Sequence, residues 1–390
     1  MKDILIVSNY YPPEKGAAAN RIEQLALKLK KNGYSVSVVC PLGNYPKGKL
    51  FPEYRKKFSV TENQSGITIK RLWIYPSNSS NIFKRILSIA SFSVGLFFYL
   101  LFVRSPKKVI VQSPPLLLSF IAVTVLHWKN KKIILNVSDL WPLAAIELGV
   151  LKENSISHKI LKFLEKRIYQ KATLIIGQSN EILAHISQIT TAKTYLYRNF
   201  PDHLPQPNSP PATHRTTKLF YAGLLGVAQG VFELCENMML PGNMELHIFG
   251  DGADKDAIIE KLRHHPESNI TFHGMLDREE LLQQLPQFDI AIVPLKTRIF
   301  GSVPSKIFEY GALGYPILYF GGGEGEDIVR EHDLGWVVDV ENFTELNRTL
   351  IDISKLNSVE IAEMKIKISE RSRIFDLEKQ IADLIAQDVF

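Results

Sequence analysis

Short β-branched runs alternate along this chain with stretches whose apolar residues return every three or four positions. In the first half the runs are Ile4–Ser8, Ser35–Cys40, Thr68–Leu72, Lys108–Gln112, Ile133–Val137 and Thr173–Gln178. Between the first two, in AAANRIEQLALKLKKNGY, Ile22, Leu25, Ala26 and Leu29 fall on one helical face, and Gly33 supplies a left-handed stop. Strands separated by helices predict a parallel, doubly wound α/β sheet. The segment NFPDHLPQPNSPPATHRTT, Asn199–Thr217, is rich in proline and polar residues and reads as a linker. The alternation then restarts at Lys218–Ala222, Glu245–Phe249, Ile270–Phe272, Ile290–Val293, Ile317–Tyr319 and Trp336–Val338. Two Rossmann-like halves facing across a cleft are expected: 1–200, a linker at 201–216, and 217–370. An amphipathic helix at 371–390 is expected to return to the first half.

Two apolar runs interrupt this regularity. ILSIASFSVGLFFYLLFV, Ile86–Val103, has no charge over 18 residues and is flanked by Lys84-Arg85 and by Arg104, Lys107 and Lys108. PPLLLSFIAVTVLHW, Pro114–Trp128, is followed by Lys129, Lys131 and Lys132. The first run is just long enough to span a bilayer. Strands of one sheet lie on both sides of it, however, and a single crossing would separate them. The expectation is therefore two helices of the first half with an apolar face partly exposed at a membrane surface and ringed by basic residues, with wholly buried core helices as the alternative.

Charge sharpens that picture. The 390-residue chain carries +6, but Met1–Phe200 holds 29 Lys and Arg against 10 Asp and Glu, leaving 17 against 30 for the remainder. The first half thus faces a polyanionic partner. The basic residues interleave with aliphatic rather than stacking side chains, which favours an anionic membrane surface over nucleic acid. Two cysteines, Cys40 and Cys235, make no disulfide framework and suit a reducing, cytoplasmic compartment. The start MKDILIVSNYYPP reads as a buried strand rather than a signal peptide.

Candidate chemistry gathers where strands end in glycine. In SNYYPPEKGAAANRIEQL, Gly16 precedes a helix beginning near Ala17, a place for a phosphate or simply a packing turn. No G-x-G-x-x-G follows, which removes the main support for a dinucleotide dehydrogenase. Gly223, Gly226 and Gly230 follow another strand, as do Gly250-Asp251-Gly252, where Asp251 is also a natural helix cap. In VPSKIFEYGALGYP, Val303-Pro304 fixes the approach, Ser305 can cap a helix over Lys306–Leu313, and Gly314 and Pro316 end it. Glu309 lies four residues from Ser305, so it makes no capping box. It either pairs with Lys306 on the surface or stands in the cleft as an acceptor for vicinal hydroxyls such as those of ribose. The Gly321–Gly323 run again permits close approach of a ligand.

At these residues the chain resembles a family 4 glycosyltransferase of the GT-B fold, in the bacterial cell-surface polysaccharide branch (O-antigen, capsule, exopolysaccharide). The matching stretches are YYPPEKGAAANRI, SDLWP at Ser138–Pro142, YRNFPD at Tyr197–Asp202, YAGLLGVAQG at Tyr221–Gly230, IFGDG, FHGML at Phe272–Leu276, AIVPLK and VPSKIFEYGALGYPIL. Their order and spacing cover nearly the whole chain. The resemblance implies a retaining hexosyltransferase without cofactor or metal, moving an N-acetylated or deoxy hexose from a UDP-sugar to a polyprenyl-diphosphate-linked saccharide. It implies a peripheral position on the inner face of the cell membrane. It also implies that Glu309 holds the ribose hydroxyls, that Met275-Leu276 contact the base through their backbone, and that Gly16 lies beside the diphosphate. The donor-binding set expected is Gly16, Ala17, Gly223, Gln229, Gly250, Asp251, Met275, Leu276, Pro304, Ser305, Lys306 and Glu309, with Asp139 and Lys306 as catalytic candidates.

Departures from the family pattern fall in that set. The glutamate expected eight residues before Glu309 is Gly301, the diphosphate-gripping Arg and Lys fall on Leu224 or Leu225 and on Gln229, and the His-Asp of the acceptor half is Ser138-Asp139. Lys306, then Lys296 and Arg298, are the candidates to restore the missing positive charge. Asp139 either orients an acceptor hydroxyl or caps the following turn. A UDP-sugar 2-epimerase, which shares the architecture, and a non-enzymatic membrane-associated assembly protein with a degenerate site are the alternatives.

Overall fold

The computed structural model describes residues 2–14, 16–79, 81–198, 200 and 216–390, so most of the expected linker at 201–216 lies outside the described residues. The chain forms two compact units, Met1–Arg198 with Glu378–Phe390, and Asn199–Leu377. In chain order the first holds β1 (Lys2–Val7), α1 (Ala17–Lys31), β2 (Tyr34–Pro41), β3 (Ser59–Gln64), β4 (Ile67–Leu72), α2 (Ile82–Phe102) and β5 (Lys108–Ser113). It continues with α3 (Leu116–Trp128), β6 (Lys132–Val137), α4 (Leu143–Glu147), α5 (Ile156–Lys171), β7 (Leu174–Gly177), α6 (Asn180–Ser187) and β8 (Lys193–Leu196).

Its sheet runs β3-β4-β2-β1-β5-β6-β7-β8, parallel except for the β3–β4 hairpin. That hairpin turns through Ser65 and Gly66, both at positive φ, as a two-residue loop requires. The central strands are buried on both faces, which is why they read as unbroken aliphatic runs. Strand β3 alternates exposed and half-buried residues at the sheet edge, so its polar sequence SVTENQ shows no aliphatic run. Right-handed crossovers from β4 to β5, β5 to β6 and β6 to β7 all step in one direction across the sheet and so place α2, α3 and α5 on one side. Helix α3 packs between the other two.

The two apolar runs therefore have different fates. Helix α2 is 21 residues long and, by length and composition, able to cross a membrane, yet Phe92, Leu96 and Leu100 are fully buried. Helix α3 is mostly core, with Leu118, Ala122, Val123 and Leu126 inaccessible. Flanked by two helices and backed by β5 and β6, α3 keeps Leu117, Phe120 and Ile121 half-buried and leaves only Trp128 as a large exposed apolar side chain.

The second unit holds β9 (Thr217–Leu224), α7 (Val231–Asn237), β10 (Met244–Asp251), α8 (Lys255–His264), β11 (Ile270–Gly274), α9 (Arg278–Gln284) and β12 (Ile290–Pro294). Then come α10 (Ser305–Ala312), β13 (Ile317–Phe320), α11 (Glu324–Glu331), β14 (Gly335–Val338), α12 (Phe343–Ile353) and α13 (Ser358–Ser372). Its all-parallel sheet runs β11-β10-β9-β12-β13-β14.

The closing helix α14 (Leu377–Ala386) starts at the boundary between the units. Beyond that boundary, Glu378 bridges Lys28 and Lys31 of α1 at 2.8 and 2.7 Å. The Gln380 side chain accepts from the Arg198 N–H at 2.7 Å, and Tyr34 donates to the Phe390 carbonyl at 3.1 Å.

The carboxyl ends of β9 and β10 approach so closely that a Cβ on Gly250 would lie 1.9 Å from the Gly223 carbonyl oxygen. The Gly250→Ala substitution is expected to cost at least ~2 kcal/mol of stability. At Gly242 an added Cβ would meet nothing within 4 Å, and alanine there is expected to be tolerated within ~0.5 kcal/mol. Chemical denaturation of the two variants checks the contrast.

Candidate functional site

In the second unit β9, β10 and β11 wind one way from the centre and β12, β13 and β14 the other. The strand order reverses between β9 and β12, and the crevice outside their carboxyl ends is where such sheets take ligands. Gly223 stands near the end of β9 there, and the loop after β12 leads through residues 295–304 into α10.

Helix α10 begins one residue earlier than expected: Pro304 stands at its N-cap and Ser305 is its first residue, with no side-chain cap. Lys306 and Glu309 therefore sit on successive turns of one face, but they make no ion pair. Glu309 is held by Arg278, with Nη2 to Oε1 at 3.1 Å. Lys306 instead reaches under β9. Its ammonium lies 4.3 Å from the centre of the Tyr221 ring and donates to the Tyr221 hydroxyl at 3.2 Å, which in turn donates to the Leu224 carbonyl at 2.6 Å. A Cβ on Gly223 would lie 2.0 Å from Lys306 Nζ, so that glycine makes the space the ammonium fills. No carboxylate bonds Lys306 among the described residues, and enclosure of its charged end lowers its pKa to about 8, the nearby Glu309 charge opposing.

The other replacement cations are engaged. Lys296 is ion-paired with Glu233, which raises its pKa, and Arg298 lies over the Phe300 ring at 5.6 Å. Gln229, where a lysine was expected, places a neutral amide whose oxygen is buried without a hydrogen-bond partner. It lines a cavity of about 190 Å³ together with Gly230, Glu233, Lys296 and Phe343. Gly301 is buried at φ 84° in the loop before α10.

Asp251 does not cap α8, which starts at Lys255. Its carboxylate instead accepts from the Gly252 N–H at 2.9 Å and pairs with Lys255 at 3.5 Å. Gly250 is required by its contact with Gly223, so chain packing accounts for it without a ligand. Met275 is exposed and Leu276 half-buried, directly after β11.

Arg278 and a pair of histidines escape sequence reasoning. Asp277 and Glu280 form a capping box that starts α9 and puts Arg278 in its first turn. The D-x-x-E spacing is the readable signal for that helix start, though not for its partner Glu309. The register of β11 slips at His273. The bulged ring stacks on Phe249 with centroids 4.5 Å apart and meets His247 at 2.8 Å, while His247 meets Glu245 at 3.2 Å. This chain of contacts steadies the strand immediately before Met275. Burial lowers the His273 pKa, and the neighbouring His247 adds to that.

In the first unit the strand order reverses between β1 and β5. Gly16 is the N-cap of α1 at φ 146°, and a Cβ there would lie 3.5 Å from the Tyr45 ring. Ala17 opens the helix. The loop before it is pinned by buried polar groups. Glu14 Oε1 accepts from the N–H groups of Asn44 and Tyr45 at 2.8 and 3.0 Å, Oε2 has no partner, and burial raises the carboxyl pKa. Arg71, wholly inaccessible, bonds the Pro12 carbonyl and Glu62.

Asp139, exposed after β6, is no helix cap, since α4 begins at Leu143 behind Pro142. It lies 3.2 Å from the Ser138 hydroxyl, which accepts from the Gln112 amide at 3.0 Å. Arg21 of α1 is close enough for the Asp139 charge to oppose the lowering of its pKa by burial. Both cysteines are free, and burial pushes each thiol up to about 12, which leaves them unreactive.

At pH 7 the folded chain carries the Lys306 ammonium at a desolvation cost that the unfolded chain does not bear. That cost fades as pH rises from about 8 toward the ordinary 10.5. Lys306→Met is therefore expected to leave the thermal midpoint of the unliganded protein at pH 7 unchanged or raised by ~2–4 °C, with a smaller difference at pH 9.5. A fall in midpoint at pH 7 would contradict the isolated-ammonium arrangement.

Residues 217–355 match the family described as glycosyl transferases group 1. A Pseudomonas aeruginosa protein named "Probable glycosyltransferase WbjE" is 25% identical over 377 residues, covering 92% of this chain and 90% of the relative. Among solved structures, sucrose-phosphate synthase from Thermosynechococcus elongatus superposes with a TM-score of 0.72 at 16% identity, covering 99% of both chains. An E. coli trehalose-6-phosphate protein bound with UDP-2-fluoro glucose follows at 0.70 and 12%, covering 99% of this chain and 98% of that one. WaaG, a glycosyltransferase involved in lipopolysaccharide biosynthesis, gives 0.65 and 13%, covering 98% and 99%. At these identities the structural likeness is one of fold. Residues 217–355 are thus similar to the group 1 glycosyl transferases, and the two α/β units have the GT-B architecture that was expected.

Proposed function

From a glycosyltransferase domain of group 1 within a GT-B architecture, we propose that this chain moves a sugar from a UDP-sugar to a polyprenyl-diphosphate-linked saccharide, with retention at the anomeric carbon. The sugar is read as an N-acetylated or deoxy hexose and the product as a cell-surface polysaccharide, built on the inner face of the cell membrane without a metal. The observation that carries this reading is the Lys306 ammonium, held beside Gly223 with only a neutral hydroxyl as hydrogen-bond partner among the described residues, three residues before the Glu309 carboxylate.

A diphosphate laid across the end of β9 completes the unpaired charge of Lys306 and raises its pKa. The same ammonium then meets the negative charge that grows as the sugar leaves, the form of electrostatic stabilisation that accelerates group transfer. Glu309 accepts the ribose hydroxyls once Arg278 yields one of its oxygens, and the exposed backbone around Met275-Leu276 is free to meet the base. Asp139, with Ser138 and Arg21 around it, is the group read as orienting the acceptor hydroxyl. The UDP-sugar analogue in the trehalose-6-phosphate structure and the lipopolysaccharide role of WaaG belong to those proteins; they support the reading through the shared fold.

Calorimetric titration with UDP tests the donor half. Glu309→Ala is expected to weaken UDP by 10- to 100-fold, the loss of charge-assisted bonds worth ~1.5–3 kcal/mol. Unchanged UDP affinity would remove Glu309 from the ribose role. Incubation with UDP-sugars but no acceptor is expected to yield no epimerised sugar, and such a product would make the 2-epimerase reading the better one.

A further inference from the structure

The helix layer of the first unit carries a second apolar stripe that hydropathy along the chain does not reveal. On α2, Phe83, Leu87, Val94, Phe98 and Phe102 are exposed and recur at helical spacing along the side away from the buried Phe92, Leu96 and Leu100. On α5, a helix polar on average, Ile156, Ile160 and Phe163 stand at i, i+4 and i+7 and are 78, 55 and 52% exposed. Between them the outer line of α3, Leu117, Phe120 and Ile121, is half-buried and apolar. Lys159, Lys162, Lys166 and Arg167 are exposed on α5 beside its stripe, and Arg167 lies over the Phe163 ring at 5.2 Å.

We propose that α2 and α5 together form an interfacial platform that seats this unit on an anionic lipid bilayer, both helices lying in the plane of the headgroups. Their apolar stripes enter the acyl boundary, and the α5 cations reach the lipid phosphates. This deepens the membrane placement within the proposed function and rests on it, while the surface chemistry stands on its own observations.

A bilayer fits where the other occupants do not. A second copy docked with its α5 stripe against this one about a two-fold axis would bring the α5 lysines close to their own kind, a repulsive arrangement. A span by α2 would pull Phe92, Leu96 and Leu100 out of the core. Flexible basic stems flanking aliphatic and aromatic side chains are the composition that in-plane helices use at a charged interface, and the unit's strong basic excess supplies the long-range attraction.

Flotation of the full chain with vesicles of phosphatidylcholine alone, or with a quarter phosphatidylglycerol, tests this. Binding is expected to the anionic vesicles, at least tenfold weaker to the neutral ones, and weakened by added salt. The combined Ile156→Ser, Ile160→Ser and Phe163→Ser variant is expected to lose at least tenfold in vesicle binding while keeping the parent's UDP-induced rise in thermal midpoint, which also shows that it folds. Lys159→Glu with Lys162→Glu is expected to abolish the preference for anionic lipid. Undiminished vesicle binding by the α5 variants, equal binding to both vesicle types, or a parent that sediments as a dimer which the serine variant disrupts would each overturn the proposal. Loss of the UDP response in the parent with vesicle binding intact would instead count against the donor reading and leave the platform standing.

Discussion

The carboxyl edge of the second sheet depends on one close contact between peptide units, the Gly223 carbonyl against the α-carbon of Gly250. With no side chain at either position, β9 and β10 stay in register to their last residues, Gly250 opposite Gly223 and Asp251 opposite Leu224. The absent side chain on Gly223 also leaves the space that Lys306 fills. A lysine drawn from the helix after β12 thereby stands at the end of β9, beside a loop whose Leu224, Leu225 and Gln229 are apolar or neutral.

A half-buried lysine whose ammonium bonds only Tyr221 among the described residues carries a desolvation cost. Glu309 is kept from neutralising Lys306 by Arg278, which takes the carboxylate from the other side. In the first unit the corresponding rigidity comes from buried ions: Arg71 and Glu14 tie the loop after β1 to the loop after β2 through backbone groups, so the approach to Gly16 is set by hydrogen bonds, with Pro12, Asn44 and Tyr45 as the fixed points.

Much of this is readable in one dimension. Aliphatic runs mark the parallel strands because strands buried on both faces tolerate little else, and glycine after a strand marks the loops of both sheets. The hairpin strand β3 escapes because an edge strand with one wet face reads as polar. Hydropathy reports that the apolar runs of α2 and α3 avoid water and says nothing of whether lipid or protein covers them. The stripe on α5 is hidden for the converse reason: four exposed cations mask three exposed apolar residues in any average along the chain.

The two-sheet plan and the glycine positions follow from the order of residues alone, because periodicity and backbone permissiveness are local properties, whereas Lys306 and Glu309 become candidates through the resemblance to a family. Which charge meets which is settled in three dimensions. There Arg278 is set against Glu309, Lys306 is left with a neutral hydroxyl, Asp251 and Asp139 are freed from capping, and α2, α3 and α5 are laid side by side. Ion pairing and burial depend on distances between residues far apart in the chain, and those distances exist only once the sheets have closed their order.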